Sequence, residues 1–383
     1  MTGSLQVKNG VYYMVVNTKN AEGKRKQKWI TTKLPVKGNK RKAEQQLNAY
    51  LAECTQKGYI EPSKLHFCDY LAKWVEMHKK NVQPKTHETN IRNLKRHIYP
   101  YFNAFSLNLS DVKSEAIQAY CDAKLGEGLN PNTVIRHYAI IRAALTHAYK
   151  SKMIRTNPCD WVDKPKSKKY FAEFYTPEEI KHLLGVFKGT YIEVPVYIAA
   201  YLGLRRSEVI GLRWRSVDMV NGSLTVCNKV IRMFHEGKLT NMASNELKTE
   251  SSYRILPLDE TLMEMFKAIK EQQERNKQLC GNSYSKEYSD YVCVNAMGDL
   301  INPETVSKYF SKIIRKNGMK AIRYHDLRHS CASMLLSLGY SMKEIQEWLG
   351  HSNYNTTAEI YSHVDPRNKS KMIRGITAAL SAE

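Results

Sequence analysis

Two short stretches near the end of the sequence carry side chains that can bind or transfer a phosphate. The stretches "RYHDLRHSCASMLL" and "LGHSNYNTTAEIYSHV" place histidines, arginines and a tyrosine among apolar residues that form cores. Burying such polar groups without partners costs free energy. They are therefore either solvent-exposed surface side chains or the lining of a site for an anionic ligand.

Helix signals place these side chains near one another. His325 and Arg328 are three residues apart at the start of a predicted helix, so both project from one face. A Ser–Glu capping box at 341–344 begins the next predicted helix, which Gly350 ends, and His351 lies just beyond. The sequence thus predicts that two histidines and an arginine sit at helix ends.

Three other stretches supply further candidates. Tyr361 follows in "TTAEIYSHV", and "AAYLGLRRSEVIGLRW" puts Arg205 and Arg206 beside a Gly and a Glu inside an apolar helical stretch, where an arginine needs an anionic partner. "NELKTESSYRILPL" puts Lys248 on a polar hairpin next to a strand. Each piece alone indicates little, because an Arg-Arg pair is usually solvated and a tyrosine usually packs in a core.

Taken together, and in this order, these stretches resemble the boxes of the tyrosine recombinase (phage integrase) family, and in particular the integrases of conjugative transposons and temperate phages. The family pattern is Arg, Lys, His-x-x-Arg, His or Trp, then Tyr. The matching boxes are "GLRRSE", "LKTESSYRILPL", "HDLRHSCAS", "LGHSN" and "TTAEIYSHV". The resemblance identifies six catalytic residues: Arg205, Lys248, His325, Arg328, His351 and Tyr361.

The resemblance implies a site-specific DNA recombinase that cleaves and rejoins DNA strands, integrating or excising a mobile genetic element. Tyr361 would attack in line and leave a 3′-phosphotyrosine and a free 5′ hydroxyl. Arg205 and Arg328 would clamp the non-bridging oxygens, because a planar guanidinium matches a phosphate and stays charged. They would stabilise the charge that spreads onto those oxygens.

The other implied roles are two proton transfers and a hydrogen bond to the phosphate. Lys248 would protonate the leaving 5′ oxygen, His325 would assist proton transfer at the tyrosine, and His351 would hydrogen-bond the phosphate. Glu208, one helical turn from Arg205, is interpreted as its orienting partner rather than as a base. No metal and no cofactor is expected, because the covalent phosphotyrosine itself stores the broken phosphodiester.

The composition agrees with a nucleic-acid partner. The chain has 383 residues and a formal net charge of +22, which favours a polyanion. An anionic membrane surface is the rival, but the sequence has no apolar run of spanning length, no lipidation signal and a polar start. The eight cysteines are scattered and form no C-x-x-C pair. We expect a soluble bacterial cytoplasmic protein, associated with the nucleoid when bound to DNA.

The sequence predicts a multidomain α+β protein. Residues 1–60, with an Asn9-Gly10 turn signal, are predicted to form a small three-stranded sheet plus a helix, and residues 64–160 an all-helical domain. The resemblance implies that they bind arm sites and core sites. A linker at 161–174 precedes a mainly helical catalytic domain with a small antiparallel sheet and a tail, 175–383.

Local signals support this layout. Asn130-Pro131 and Thr176-Pro177 fit an N-cap followed by proline at the first helical position. "GSLTVCNKVIR" and "YRILPL" are predicted as strands that flank a long polar loop. Basic side chains are expected on the outer faces of the second domain's helices: Arg92, Lys95, Arg96, Arg136, His137 and Arg142.

The partners follow from the resemblance. They are double-stranded DNA at core and arm sites, a homo-tetramer in the synaptic complex, and accessory proteins such as an excisionase or a DNA-bending protein. The tail, residues 365–383, has one apolar helical face. It can pack on its own domain or exchange with a neighbouring protomer.

Several alternatives stay open at this point. A type IB topoisomerase would use the same chemistry on one duplex, a DNA-binding regulator could keep a decayed site, and a nuclease would need a metal. His325, His329 and His351 could hold that metal, although acidic and cysteine companions are sparse. Tyr354 is an alternative nucleophile, and it lacks the "TTAEIYSHV" context.

Overall fold

The described chain forms two compact units. In the computed structural model they comprise residues 1–169 and 170–383. The described residues are 2–19, 25–57, 63–168, 173–235, 238–244 and 253–351, together with Thr377 and Leu380. Across these residues no helix combines the length and the apolar character that a membrane crossing requires.

The first unit begins with the predicted antiparallel sheet. Its strands are β1 (Thr2–Lys8), β2 (Val11–Lys19) and β3 (Arg25–Pro35), hydrogen-bonded in that order. The turn between β1 and β2 has positive φ at Asn9 (52°) and Gly10 (71°), as a tight hairpin requires. Helix α1 (Lys40–Lys57) packs Leu47 against Met14 and Val16 of β2. The sheet-plus-helix prediction is confirmed.

The rest of the first unit is helical. It contains α2 (Phe67–His78), α3 (Pro84–Asn93), a π-helical turn (Leu94–Ile98), α4 (Tyr99–Asn103), α5 (Ser114–Gly126) and α6 (Pro131–Lys150). The Asn130 side chain accepts a hydrogen bond from the N–H of Asn132, so the predicted cap forms. The apolar stripes of α2 and α6 share one buried core.

The prediction that His137 lies on the outer face of these helices is wrong. His137 is completely buried, and its Nδ1 lies 2.9 Å from the hydroxyl of Tyr120. Burial, and then the neighbouring His97, lower the pKa of His137 to about 4. A histidine that is neutral and hydrogen-bonded can occupy a core position, so His137 belongs to the core rather than to a basic surface.

The second unit is mainly helical around a small sheet. It begins with α7 (Pro177–Phe187), α8 (Glu193–Leu202) and α9 (Arg206–Gly211), and α7 has the predicted capping box of Thr176 and Glu179. After the sheet come α10 (Glu260–Cys280), α11 (Pro303–Lys316), α12 (Asp326–Ser337) and α13 (Met342–Leu349). The expected α+β architecture is confirmed.

The sheet of this unit corrects one prediction. Its strands are β4 (Val217–Asp218), β5 (Ser223–Val226) and β8 (Arg254–Pro257), whereas β6 (Lys229–His235) and β7 (Lys238–Ser244) form a separate hairpin. The sequence predicts one long strand in "GSLTVCNKVIR", followed by a polar loop. Part of that loop instead pairs with β6, because cross-strand pairs such as Phe234 with Leu239 support a hairpin.

Candidate active site

The first arginine of the site lies where a predicted helix breaks. The stretch "AAYLGLRRSEVIGLRW" suggested one apolar helix, but α8 ends at Leu202 and Gly203 turns the chain with φ of 62°. A methyl group at Gly203 would lie 2.6 Å from the Leu349 side chain. Glycine is therefore required both for the positive φ and for the contact with α13. This break places Arg205 at the N-cap of α9.

Arg205 is held by a buried carboxylate and a backbone carbonyl. Its Nη1 donates to Oε1 of Glu208 at 2.6 Å, and its backbone N–H donates to Oε2 at 3.0 Å. Its Nη2 donates to the carbonyl of Gly350 at 2.6 Å. Its side chain keeps 30% of its surface exposed, whereas that of Glu208 keeps 3%. Glu208 is thus the partner of Arg205, as the one-turn spacing predicts.

Arg328 is buried more deeply. Three of its nitrogens donate within the protein: Nη1 to the carbonyl of Gly203 at 2.8 Å, Nη2 to the carbonyl of Leu349 at 2.6 Å, and Nε to Nε2 of His351 at 3.1 Å. Burial, and then the charge of Arg205, lower the pKa of Arg328 to about 9. It therefore remains protonated at neutral pH, in a fixed orientation.

His351 is the neutral partner of that arginine. Because a guanidinium only donates hydrogen bonds, Nε2 of His351 must accept, and the proton of the ring sits on Nδ1. Burial, and then the charges of Arg328 and Arg205, lower the pKa of His351 to about 3. Its backbone carbonyl accepts from Nε2 of Gln346 at 2.9 Å, which fixes the chain just beyond α13.

His325 lies at the rim of the site, immediately before α12. The residue is exposed, and its ring meets the ring of His329 edge to face, with centroids 5.7 Å apart. The surrounding protein partly desolvates the ring. This desolvation, followed by the charges of His329 and Arg328, lowers the pKa of His325 to about 4. The fully buried Asp326 accepts from Arg323 at 2.7 and 3.0 Å and steadies the start of α12.

A third arginine, which the sequence reasoning missed, belongs to the same cluster. Arg254 of β8 donates through Nη2 to Oε2 of Glu208 at 3.1 Å, and through Nε to the carbonyl of Trp348 at 2.7 Å. Arg254 is 8% exposed, whereas its apolar neighbour Ile255 is 62% exposed. The alternation of "RILPL" was the available signal, because Leu256 and Arg254 must share the inward face.

The C-terminal end of α13 organises all three arginines. The carbonyls of Trp348, Leu349 and Gly350 accept from Arg254, Arg328 and Arg205 respectively. The last carbonyls of a helix lack intrahelical partners and carry the negative end of its dipole, so cations bind there. Gly350, with φ of 68°, ends the helix as predicted and points its carbonyl toward Arg205.

The charges of this cluster favour an anionic ligand. Among the described residues, Arg205 and Arg254 both bind the carboxylate of Glu208, and the charge of Arg328 acts on it without a hydrogen bond. Burial opposes the ionisation of Glu208, but the charges of Arg254 and Arg205 outweigh it, so the pKa of Glu208 is lowered. The carboxylate is therefore ionised, and the cluster retains a positive excess that a phosphate can neutralise.

The structure describes four of the six predicted catalytic residues. Lys248 and Tyr361, like the alternative nucleophile Tyr354 and most of the tail, lie outside the described residues. The structure brings together Arg205, Arg328 and His351, with His325 at the rim. Over the described part of the chain, no group of three His, Cys, Asp or Glu side chains is placed to hold a metal ion.

Comparison with solved structures identifies the fold. The integrase of transposon Tn1549, bound to a circular intermediate DNA, superposes with a TM-score of 0.68 at 21% identity, over 81% of this chain and 99% of that one. Lambda integrase, in a tetramer bound to a Holliday junction, superposes with a TM-score of 0.57 at 16% identity, over 93% of this chain and 94% of that one. The fold is that of DNA integrases.

Sequence comparison identifies the family. A XerC-like tyrosine recombinase of Caldanaerobacter subterraneus is 27% identical over 70% of this chain and 72% of its own length. The ICEBs1 integrase of Bacillus subtilis is 24% identical over 73% of this chain and 74% of its own. The profile of the phage integrase family matches residues 173–368, and that of the phage integrase N-terminal SAM-like domain matches residues 66–125. The chain therefore belongs to the phage integrase family, and it is a tyrosine-type site-specific DNA recombinase that cleaves and rejoins DNA strands.

Proposed function

We propose that this recombinase integrates and excises a mobile genetic element, using Tyr361 as nucleophile and Arg205 and Arg328 as the phosphate clamp. The observation that carries the proposal is the anchoring of both arginines at the C-terminal end of α13. A clamp that is fixed before DNA binds needs no reorganisation when charge develops on the phosphate, which is the main requirement of phosphoryl transfer.

The donor count of Arg328 supports its role. A guanidinium has five N–H groups, and three of those of Arg328 donate to described residues of the protein. The second hydrogens of Nη1 and Nη2 can therefore donate to the two non-bridging oxygens. Arg205 is more exposed, which suits it to contact the phosphate from the solvent side. Together the two cations offset the charge of the pentavalent transition state.

His325 and His351 suit their proposed roles, a proton transfer and a hydrogen bond to the phosphate, because both rings are neutral at physiological pH. His351 accepts from Arg328 through Nε2, so the ring carries its proton on Nδ1, and this N–H is the donor assigned to a phosphate oxygen once DNA is bound. His325, at the rim, can accept the phenolic proton of Tyr361 as the oxygen attacks. Lys248 completes the assignment by protonating the 5′ oxygen as it leaves, so that no metal takes part in the proposed reaction.

The proposal extends to the assembly. Residues 1–60 bind arm sites, residues 64–160 bind core sites, and a linker at 161–174 lets the core-binding and catalytic domains close around DNA. Four protomers form the synapse, with the tail at 365–383 exchanged between neighbours. The lambda integrase tetramer on a Holliday junction supports this stoichiometry. Excisionase or DNA-bending proteins direct the reaction, which takes place on nucleoid DNA in the bacterial cytoplasm.

A pair of adjacent arginines tests the proposed clamp. The substrate is a plasmid that carries the two ends of the encoding element, and the product is the recombined junction measured by quantitative PCR. Arg205→Lys should reduce the junction by about 100-fold or more, because a lysine cannot bind Glu208, Gly350 and a phosphate as a planar fork. Arg206→Lys is the matched control, since Arg206 donates to Ser307 instead.

The outcomes separate the proposal from its rivals. Normal recombination by Arg205→Lys would contradict the assigned clamp. Equal loss in Arg205→Lys and Arg206→Lys would show that the substitutions act through folding or general DNA affinity. A type IB topoisomerase would relax a plasmid that lacks the element's ends, because it needs no partner site. The proposed recombinase should leave that plasmid supercoiled.

A further inference from the structure

Arg254 is a buried cation with no role in the mechanism above. It occupies an inward position of β8, where the strand alternation calls for an apolar side chain. Burial lowers its pKa, although the charge of Glu208 opposes that effect. A buried arginine is costly unless its hydrogen bonds are satisfied, so its presence needs an explanation.

The contacts of Arg254 duplicate those of Arg205. Both guanidinium groups bind Glu208, Arg205 on Oε1 and Arg254 on Oε2. Both also bind the end of α13, at the adjacent carbonyls of Gly350 and Trp348. Arg254 therefore fixes the carboxylate and the helix end that together set the position of Arg205.

Arg254 also limits how the side chain of Arg205 can bind Glu208. Without Arg254, both oxygens of Glu208 would be left to Arg205, and a carboxylate binds a guanidinium best through two parallel hydrogen bonds. Arg205 would then turn toward Glu208 and away from a phosphate. Arg254 occupies Oε2 together with the backbone N–H of Arg205, and so leaves part of the Arg205 fork available to a ligand.

We propose that Arg254 is a positioning residue for DNA cleavage, which acts through Glu208 and α13 to present Arg205 to the scissile phosphate. The inference rests on the proposed function, because it assumes that Arg205 binds that phosphate. If Arg254 had a purely structural role, it would stabilise the second unit, and its loss would slow cleavage equally for a charged and an uncharged scissile group.

The test compares two scissile groups in single-turnover cleavage by the full-length protein. One nicked DNA substrate carries the ordinary phosphate, and the other a methylphosphonate, in which a methyl group replaces one non-bridging oxygen and removes the negative charge. The rate constant of covalent adduct formation reports on the site, and the amplitude reports on the folded fraction. The variants are Arg254→Lys and Arg254→Gln, each alone and combined with Arg205→Ala.

The expected result is a loss that depends on charge. On the phosphate, Arg254→Lys and Arg254→Gln should react about 10- to 100-fold more slowly than wild type, because a small misplacement of a catalytic group has effects of that order. On the methylphosphonate, both should react within about 3-fold of wild type. In the Arg205→Ala background either substitution should add less than about 3-fold, since residues that act through one another are not additive.

Arg213→Lys is the matched control. Arg213 also belongs to the second unit, its side chain is 19% exposed, and its Nη2 donates to the hydroxyl of Tyr291 at 2.9 Å. Arg213→Lys should not change the ratio of the rate constants on the phosphate and the methylphosphonate. An equal slowing of the Arg254 variants on both substrates, or their failure to react with either, would overturn the inference and assign Arg254 to folding. If the wild-type protein forms no adduct at all, the proposed function itself fails.

Discussion

The Nε atom of Arg328 donates a hydrogen bond to Nε2 of His351 across 3.1 Å. This bond keeps the histidine neutral, because a protonated ring would place an N–H against the guanidinium. It also fixes the arginine, whose other two nitrogens are held by the carbonyls of Gly203 and Leu349. The cation and the neutral donor of the proposed phosphate site therefore form one hydrogen-bonded unit.

The neutrality of His351 predicts a pH dependence of stability. The pKa of His351 is about 3 in the folded protein. In the unfolded chain a histidine titrates near about 6.5, so below that pH the unfolded state binds a proton that the folded state resists. The contribution of His351 is complete above pH 6.5 and is lost as the pH falls toward 3. Its slope approaches about 1.4 kcal/mol per pH unit.

Urea denaturation at pH 7, 6 and 5 measures this effect. His351→Gln, which keeps a hydrogen-bond acceptor, should lose less stability between pH 7 and pH 5 than the wild type does. The exposed His182 offers a control, and His182→Gln should follow the wild-type slope. An unchanged slope in His351→Gln would contradict the buried neutral state.

The close contact at Gly203 predicts a difference between two glycines. Gly203 and Gly189 both have positive φ, 62° and 73°, so alanine at either position should cost about 1 to 2 kcal/mol of unfolding free energy. At Gly203 the new methyl group also meets Leu349 at 2.6 Å, whereas nothing lies within 4 Å at Gly189. Overpacking should add about 1 to 3 kcal/mol at Gly203 only.

Chemical denaturation of Gly203→Ala and Gly189→Ala measures that difference. We also expect slower DNA cleavage in Gly203→Ala, because the Gly203 carbonyl that holds Arg328 must move. Equal destabilisation of the two variants would mean that the end of α8 does not pack on α13 as described.

Arg328→Lys tests whether geometry or charge matters at the clamp. A lysine keeps the positive charge but cannot donate at once to two carbonyls, a histidine and a phosphate. Cleavage should fall by about 100-fold or more, while affinity for the DNA site, measured by gel shift, should change little. The exposed Arg315 of α11 provides the control, and Arg315→Lys should cleave normally. Cleavage by Arg328→Lys at the wild-type rate would show that charge alone suffices.

Local signals in the sequence predicted the helix ends well. Asn130 forms its cap, Thr176 and Ser341 form capping boxes, and Gly350 ends α13, because each depends on residues only a few positions apart. The break at Gly203 was missed, although a glycine in the left-handed conformation just after a helix is itself a common helix-ending signal.

Long-range partners explain the other differences. His137 is in the core because Tyr120 accepts or donates a hydrogen bond there, and the sequence does not reveal that pairing. Arg254 was overlooked because its partners, Glu208 and Trp348, come from two other elements. The order of the motif boxes predicted six site residues, of which the structure brings together Arg205, Arg328 and His351. The carbonyls that hold the two arginines follow only from the fold.

The most direct test of the account is the covalent adduct itself. Nicked DNA substrates from the ends of the encoding element are incubated in EDTA with the wild-type protein, Tyr361→Phe or Tyr354→Phe, and resolved on a denaturing gel. We expect an adduct with the wild type and Tyr354→Phe, none with Tyr361→Phe, and no requirement for metal. An adduct that survives in Tyr361→Phe, or cleavage that appears only when a divalent metal is supplied, would contradict it.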